Sequence, residues 1–291
     1  MTRSLDLAAR KVAEELHDLA DGRPVLRRRD ILAMGIPDAT MTAMIRRRLL
    51  TRMRHGVYVV TELFDSASPV ERHHLDVAAA VAAAEEPTWS FGSSASSLLG
   101  MPLPFDVPPI VTLTRRRAAD ERGMRRPSRH GLVLPDVHVV TGPVDEEAAL
   151  TVSGIPVVEP GLAAVSTATE LTSPRWRTAL LDAAMWRGAS RESLLRLIDA
   201  WRHLGHRDEL LAALALARPG AQTVLETFSR LRLIEAGVPE PELQVPIHDE
   251  DGLIGNVDMY WAGLGVVGEA DGAAAGIVTK LHRKPKKPHG G

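Results

Sequence analysis

Apolar positions near the start of the chain recur at helical spacing and are separated by turn signals. Residues 4–20 carry an apolar stripe that predicts one amphipathic helix. The stripe consists of Leu5, Ala8, Val12, Leu16 and Leu19. Two shorter helices are predicted at about 28–34 and 39–49, joined by a turn that contains Gly35. On the third helix one face is predicted to carry Met41, Met44, Ile45 and Arg48, and the opposite, outward face to carry Ala39, Thr42, Ala43 and Arg46.

The pattern then changes from helical to strand-like. Residues 50–54 and 57–60 predict two strands around His55-Gly56, because β-branched and aromatic residues flank a turn dipeptide. Helix, helix, turn, helix and hairpin is the order of a winged helix-turn-helix unit. We therefore expect residues 1–62 to form a DNA-binding domain of this kind.

Basic side chains concentrate on the same segment. Residues 23–56 hold nine arginines and two acidic residues. In such a unit the third helix enters the major groove, so Thr42, Ala43 and Arg46 are the candidates for reading bases. The candidates for phosphate contacts are Arg27, Arg28, Arg29, Arg47, Arg52, Arg54 and His55. The alternative is a solvated helix end, because arginines also favour the C-terminal end of a helix dipole.

Composition and charge narrow the class of protein. The chain has 291 residues, 45% of them apolar and 25% charged, as expected for one large or two ordinary globular domains. It has no cysteine, no signal peptide and no apolar run of membrane length, so a cytoplasmic location without membrane contact is expected. The net charge of −2 divides into +5 over residues 1–60, −12 over 61–271 and +5 over 272–291. A basic end on an acidic body suits binding to a polyanion.

The middle of the chain alternates helical and strand patterns and predicts a mixed α/β body. The adjacent His73 and His74 point about 100° apart on a helix, so they cannot share a metal ion and are interpreted as surface residues. Four neighbouring serines lack a nucleophile-elbow motif and are interpreted as small packing residues. They are Ser93, Ser94, Ser96 and Ser97. The seven arginines of residues 115–129 predict an exposed loop that is either solvated or in contact with phosphates.

Carboxylates cluster in the pattern near the C-terminal end. A helix over 222–235 carries Glu226 and precedes three predicted strands. These strands cover residues 243–247, 253–261 and 265–270. If residues 262–263 form the turn, Asp258 lies opposite Val267 and on the same face as Glu269 and Asp271. Because Mg²⁺ typically takes one or two carboxylates plus waters, Asp258 and Glu269 are the candidate metal ligands.

Two segments resemble known families. The run LRRRDILAMGIPDATMTAMIRRRLLTRMRHGVYVV resembles the N-terminal domain of AbiEi-family antitoxins and related actinobacterial transcriptional regulators. This resemblance covers residues 8–60 and implies a winged helix-turn-helix that binds its own operator, in an operon with a toxin partner. Paired half-sites would favour a homodimer.

The C-terminal pattern VLETFSRLRLIEAGVPEPELQV…NVDMYW…VVGEADG is similar to the restriction-endonuclease-like domain related to very-short-patch-repair nucleases. The resemblance places Glu226, Asp258, Glu269 and Asp271 on motif positions that bind a metal and activate water. Two departures weaken it. Asp271 stands where the nuclease pattern has a lysine, and after Gly272 the chain becomes a basic stretch without a strand pattern, as expected of a truncated region with a disordered tail.

The expected organisation therefore has four parts. They are a winged helix-turn-helix (1–62), an α/β antitoxin-like body (63–220), a partial endonuclease-like region (221–272) and a basic tail (273–291). The predicted function is that of a transcriptional regulator of antitoxin type, which binds double-stranded DNA and needs no cofactor. The sequence favours a regulator over an enzyme. Two alternatives stay open: a Mg²⁺-dependent endonuclease, and an interaction protein that neutralises a cognate toxin.

Overall fold

The computed structural model describes residues 24–116, 137–200, 206–249, 252–273 and 276–283. The predicted helix over 4–20, residues 117–129 of the arginine-rich stretch and the last residues of the tail lie outside this description. The described residues form a mixed α/β structure with several sheets, which confirms the predicted class. The chain divides into two compact units, residues 1–166 and 167–291. In the part that is described, no helix has the length and apolar character needed to cross a membrane.

The first unit contains helices α1 to α5 and strands β1 to β8. The helices are α1 (Arg28–Ala33), α2 (Asp38–Arg46), α3 (Thr61–Ser66), α4 (Pro69–Ala83) and α5 (Gly92–Leu98). The strands are β1 (Leu26–Arg27), β2 (Leu50–Arg54), β3 (Val57–Val60), β4 (Thr88–Ser90), β5 (Val111–Arg116), β6 (Val137–Gly142), β7 (Leu150–Val152) and β8 (Ile155–Val157). The boundary between the units falls inside helix α6 (Pro160–Glu170).

A small three-stranded sheet organises residues 24–60. The predicted hairpin strands form with the expected bounds, as β2 and β3, and β1 pairs with the outer side of β3. The hairpin turns at Gly56, whose φ of +68° favours glycine. Helices α1 and α2 pack on this sheet through a core formed by Leu26, Ile31, Ile36, Met41, Met44, Leu50 and Tyr58.

Helix α2 is shorter than its sequence predicts. It ends at Arg46, whereas the apolar pattern extended the helix to residue 49. Arg48 has a left-handed backbone, with φ +57°, and its side chain is exposed. The prediction that Arg48 shares a helix face with Met41 and Met44 is therefore wrong, because the helix ends two residues before it.

The rest of the first unit is a five-stranded sheet covered by helices. Its strand order is β6-β5-β4-β8-β7, with β5 antiparallel to β4 and parallel to β6. Helix α4 begins with a capping box, in which Ser68 Oγ accepts from the Glu71 N–H and the Glu71 carboxylate accepts from the Ser68 N–H. Because α4 packs against both α5 and β5, His73 is buried. The interpretation of His73 as a surface residue is therefore wrong.

The second unit combines helices with an antiparallel sheet. Its helices are α7 (Pro174–Trp186), α8 (Arg191–Ala200), α9 (Arg207–Leu216), α10 (Val224–Glu235) and the 3₁₀ helix Ala262–Leu264. Its strands are β9 (Glu242–Asp249), β10 (Gly252–Trp261), β11 (Val266–Ala273) and β12 (Gly276–Arg283), in the spatial order β12-β11-β10-β9. Strand β12 pairs along β11, so the prediction that the basic tail lacks a strand is wrong for residues 276–283.

The turn between β10 and β11 sets a register that differs from the prediction. The 3₁₀ helix and Gly265 lengthen the turn, and Tyr260 pairs with Val267 in place of Asp258. The predicted register is therefore wrong by two residues. Because side chains alternate with a period of two, this shift leaves Glu269 on the sheet face of Asp258.

A buried ion pair joins helices α7 and α10. Arg230 donates from Nη2 to Oδ2 of Asp182 at 2.9 Å, and the two side chains are 0% and 1% exposed. Asp182 also accepts from the Thr227 hydroxyl and the Arg218 backbone N–H, each at 2.7 Å. Arg230 donates from Nη1 to the Leu216 carbonyl at 2.8 Å. The two charges are thus paired and share several hydrogen bonds, whereas Nε of Arg230 is buried without a hydrogen-bond partner among the described residues.

Candidate nucleic-acid interface and carboxylate cluster

Helix α2 presents an exposed face above the small core. Met41 and Met44 are buried and hold the helix in place, whereas Thr42, Arg46 and Arg47 are exposed. The Thr42 hydroxyl donates to the Asp38 carbonyl at 2.8 Å, within the helix. The guanidinium groups of Arg46 and Arg47 make no hydrogen bond or ion pair with any residue that the structure describes. Two uncompensated guanidinium groups at one helix end form a surface that can bind an anion.

The tip of the β2–β3 hairpin adds further basic groups. Arg52 and His55 are exposed, and the Arg52 guanidinium donates to Nδ1 of His55 at 2.9 Å and to the Arg54 carbonyl at 3.3 Å. The pairing with β3 shifts between Arg52 and Arg54, and Arg54 is half-buried. These contacts order the tip of the hairpin and keep the Arg52 side chain beside His55.

Three arginines at the start of α1 are partly compensated by acidic neighbours. Arg28 donates from Nε to Oδ1 of Asp38 at 2.8 Å and makes a second bond through Nη2. This hydrogen bonding, together with the Asp38 charge, raises the pKa of Arg28. Arg29 lies 3.6 Å from Asp30, and Arg27 is half-buried. In a phosphate contact, Arg28 would therefore either exchange Asp38 for the phosphate or use the N–H groups of Nη1, which do not bond to Asp38.

The candidates for reading bases are not equivalent in the structure. Thr42 and Arg46 are exposed, but Ala43 is half-buried and packs against the core of residues 24–60. The prediction that Ala43 points outward is therefore wrong. Sequence reasoning also left out Arg48, because it extended the helix past residue 46. The run of three arginines at 46–48 was the signal that could have included it.

In the second unit, Gln244 brings two of the predicted carboxylates together. Its Nε2 donates to Oδ1 of Asp258 at 3.0 Å and to Oε2 of Glu226 at 3.4 Å. Glu226 lies in the first turn of α10, where Thr223 caps the helix. Asp258 also accepts from the Ala270 N–H at 2.8 Å, which ties it to β11. Gln244 has φ +52°, an uncommon backbone conformation for a residue other than glycine.

The electrostatics of this cluster follow from burial and from the two like charges. Burial raises the pKa of Glu226, and the Asp258 carboxylate raises it further. Hydrogen bonds from the Gln222 N–H and the Thr223 hydroxyl act in the opposite direction and stabilise the charged form. The two carboxylates repel each other, and the Gln244 amide donates a hydrogen bond to each of them.

The remaining two predicted carboxylates lie on β11. Glu269 is half-buried there, and the backbone of Asp271 pairs with Val278 of β12. Across the described ranges, no group of three or more histidine, aspartate or glutamate side chains could hold a metal ion. The Gln244 amide donates to both Glu226 and Asp258, where a shared cation would need to bind. In this structure the Gln244 amide therefore lies between Glu226 and Asp258. The pair of candidate ligands predicted from the sequence, Asp258 and Glu269, stays a prediction.

A histidine and serine network in the first unit was missed by sequence reasoning. His73 Nε2 lies 3.0 Å from Ser94 Oγ, and His74 Nε2 lies 2.9 Å from Ser97 Oγ. Burial, followed by the charge of His74, lowers the pKa of His73 to about 4. His74 also lines a cleft of about 430 Å³, which it shares with Leu63, Glu71, Leu98 and Val152. Residues 21 and 23 positions apart give no local signal, so only the packing of α4 on α5 shows these pairs.

Comparison with known proteins gives relatives over part of the chain. No model of a known protein family matches it. Two proteins from two strains of Mycobacterium tuberculosis, uncharacterized protein MT2308 and uncharacterized protein Rv2248, are each 34% identical to it over 121 residues. The matched region covers 40% of this chain and 44% of each relative, so the chain spans less than half the length of either. Neither name describes an activity, so the similarity bears on common ancestry alone.

Proposed function

We propose that this chain is a transcriptional regulator of antitoxin type that binds double-stranded DNA through a winged helix-turn-helix over residues 24–60. The observation that carries the proposal is the exposed end of α2, where Arg46 and Arg47 have no partner among the described residues. The hairpin tip with Arg52 and His55 belongs to the same small fold. Regulation of its own operon, a cognate toxin partner, a homodimer and a cytoplasmic location complete the proposal and rest on sequence reasoning and resemblance.

The dimensions and charges of this segment support it. An α-helix with its side chains is about 10–12 Å in diameter, which the major groove of B-DNA, about 12 Å wide, admits. Thr42 and Arg46 are the exposed candidates for contacts with base edges. Arg47, Arg52 and His55 are the exposed candidates for contacts with phosphates beside the groove. A solvated helix end remains the competing interpretation, and it differs in predicting no preference for a DNA sequence.

Replacing Arg46 and Arg47 together with alanine is expected to weaken DNA binding by the full chain on the order of tenfold or more. Each lost phosphate contact should also lower the magnitude of the log–log salt slope by about 0.9. The measurement is fluorescence anisotropy with the upstream DNA of the chain's own gene and a scrambled duplex. Arg196→Ala is the matched control, because Arg196 is exposed on α8 of the second unit. Absence of binding by the unchanged chain at low salt, or equal losses in control and variant, would contradict the proposal.

A second candidate function is cleavage of phosphodiester bonds in DNA. The juxtaposition of Glu226 and Asp258 on either side of Gln244 favours it, since these are two of the carboxylates that the nuclease resemblance selects. A divalent ion would have to displace the Gln244 amide before both carboxylates could bind it.

If this second candidate holds, the full chain cuts plasmid DNA in the presence of Mg²⁺, and Asp258→Ala abolishes the cutting. The readout is nicking of supercoiled plasmid on a gel, with EDTA as a control. Glu242→Ala is the matched variant, because Glu242 is exposed on the neighbouring strand β9. An intact plasmid after incubation of the unchanged chain with Mg²⁺ or Mn²⁺ removes this candidate and leaves the regulator.

A further inference from the structure

We infer that Arg48 contacts the DNA backbone and that Asp65 is its partner in the absence of DNA. The inference rests on the proposed function and adds to it a residue that the sequence analysis did not include among the DNA-contact candidates. It stands on the backbone geometry of Arg48, on the exposure of its side chain and on its ion pair with α3.

Arg48 occupies a position that favours glycine. After α2, the Arg48 N–H bonds to the Ile45 carbonyl at 3.0 Å and the Leu49 N–H bonds to the Met44 carbonyl at 2.9 Å. These two bonds form a Schellman motif, in which the residue after the C-cap adopts the left-handed conformation. Arg48 does so with φ +57°. A side chain with a Cβ is disfavoured in that conformation, because the Cβ approaches the carbonyl oxygen.

Four other helices of the same chain have glycine at this left-handed position. Helices α1, α5, α7 and α10 end with the same pair of backbone bonds and have glycine at the equivalent position. These glycines are Gly35, Gly100, Gly188 and Gly237. At three of them, Gly35, Gly188 and Gly237, an added Cβ would touch nothing within 4 Å. Backbone conformation rather than space therefore favours glycine there, and α2 departs from the pattern by carrying an arginine.

Packing of the Arg48 side chain does not explain why arginine stands at this position in place of glycine. It is 80% exposed, and its guanidinium lies 3.7 Å from the Asp65 carboxylate, which is 56% exposed. An exposed pair at that distance contributes little to stability. A charge kept at a strained position on the surface points to a function for the charge.

The position of Arg48 identifies the ligand chemistry. It directly follows Arg46 and Arg47, whose guanidinium groups have no described partner, and it lies two residues before the hairpin. A phosphodiester oxygen that approaches this end of α2 offers Arg48 a full negative charge in place of Asp65. Binding then exchanges one anionic partner for another, and Asp65 competes with DNA for the arginine.

The test compares three variants of the full chain. Arg48→Gly is expected to raise the equilibrium constant for folding about fivefold, since the strain disappears. The same variant is expected to bind DNA several-fold more weakly, with a salt slope smaller by about 0.9. Asp65→Asn is expected to tighten binding about twofold. Gly237→Arg, which places arginine in the same motif of the second unit, is expected to lower stability and leave DNA binding unchanged.

Urea unfolding and anisotropy titrations separate the outcomes. Opposite changes in stability and affinity for Arg48→Gly support the inference. DNA binding by Arg48→Gly equal to that of the unchanged chain overturns it and leaves the proposed regulator intact. A loss of stability in Arg48→Gly also overturns it, because the ion pair of Arg48 with Asp65 would then stabilise the fold and account for the arginine. Absence of DNA binding by the unchanged chain removes the proposed function, and this inference with it.

Discussion

Replacing Arg230 with methionine is expected to destabilise the second unit by about 3–5 kcal/mol. The change keeps most of the side-chain volume and removes a guanidinium that is completely buried. Asp182 would then be left with its Thr227 and Arg218 hydrogen bonds but without a counter-charge. Burial already raises the pKa of Asp182, and the Arg230 charge opposes that increase. Without Arg230, the carboxylate must either stay charged in an apolar setting or take up a proton.

The measurement is urea unfolding with hydrogen exchange, so that the loss is assigned to residues of the second unit. Arg175→Met is the matched control, since Arg175 pairs with Glu235 at 2.6 Å on the same two helices, α7 and α10, but at the surface. That exposed pair is expected to contribute less than about 1 kcal/mol. Adding Asp182→Asn to Arg230→Met should recover part of the stability, because it removes the unpaired charge. Equal effects of the buried and the exposed substitution would show that the Asp182–Arg230 pair is not a stabilising contact.

The first unit is expected to lose stability as the pH falls from about 6.5 towards 4. His73 has an ordinary pKa near 6.5 when unfolded, and burial lowers its pKa to about 4 in the folded protein. Between these values the unfolded chain binds a proton that the folded chain does not, so stability decreases with decreasing pH. The contribution of neutral His73 to the free energy of unfolding is fully present above pH 6.5 and is lost as the pH falls towards 4. At about 1.4 kcal/mol for each unit of pKa difference, the loss from this one group is about 3 kcal/mol.

A variant that cannot take up the proton isolates this effect. His73→Gln keeps an N–H donor for Ser94 and removes the titration, so its stability should depend less on pH between 6.5 and 4. The slope of the unfolding free energy against pH is measured for His73→Gln and for the control variant His138→Gln. His138 is exposed on β6. Half-buried His74, whose pKa burial also lowers, accounts for a smaller slope that persists in His73→Gln. Identical slopes for the unchanged chain and His73→Gln would contradict the assignment.

Local sequence patterns were sufficient to predict the two strands of the hairpin and the positions of most of the described helices. Strands β2 and β3 begin and end where the sequence predicts, because β-branched residues flank a glycine that can adopt positive φ. Met41 and Met44 were predicted to share one helix face, and both are buried. The DNA-contact candidates followed from the arginine run on the same segment, and their role stays a prediction.

Tertiary structure decided the features that join distant residues. Gln244 holds Glu226 beside Asp258, and none of these three is close to another in sequence. The burial of His73 depends on the packing of α4 against α5, and the register of β10 with β11 depends on a turn longer than expected. Periodicity describes which way a side chain points along its own element. It carries no information on which other element lies opposite, because long-range packing chooses that partner. Arg48 shows the same limit at short range, since a backbone cap and not the apolar pattern ended α2.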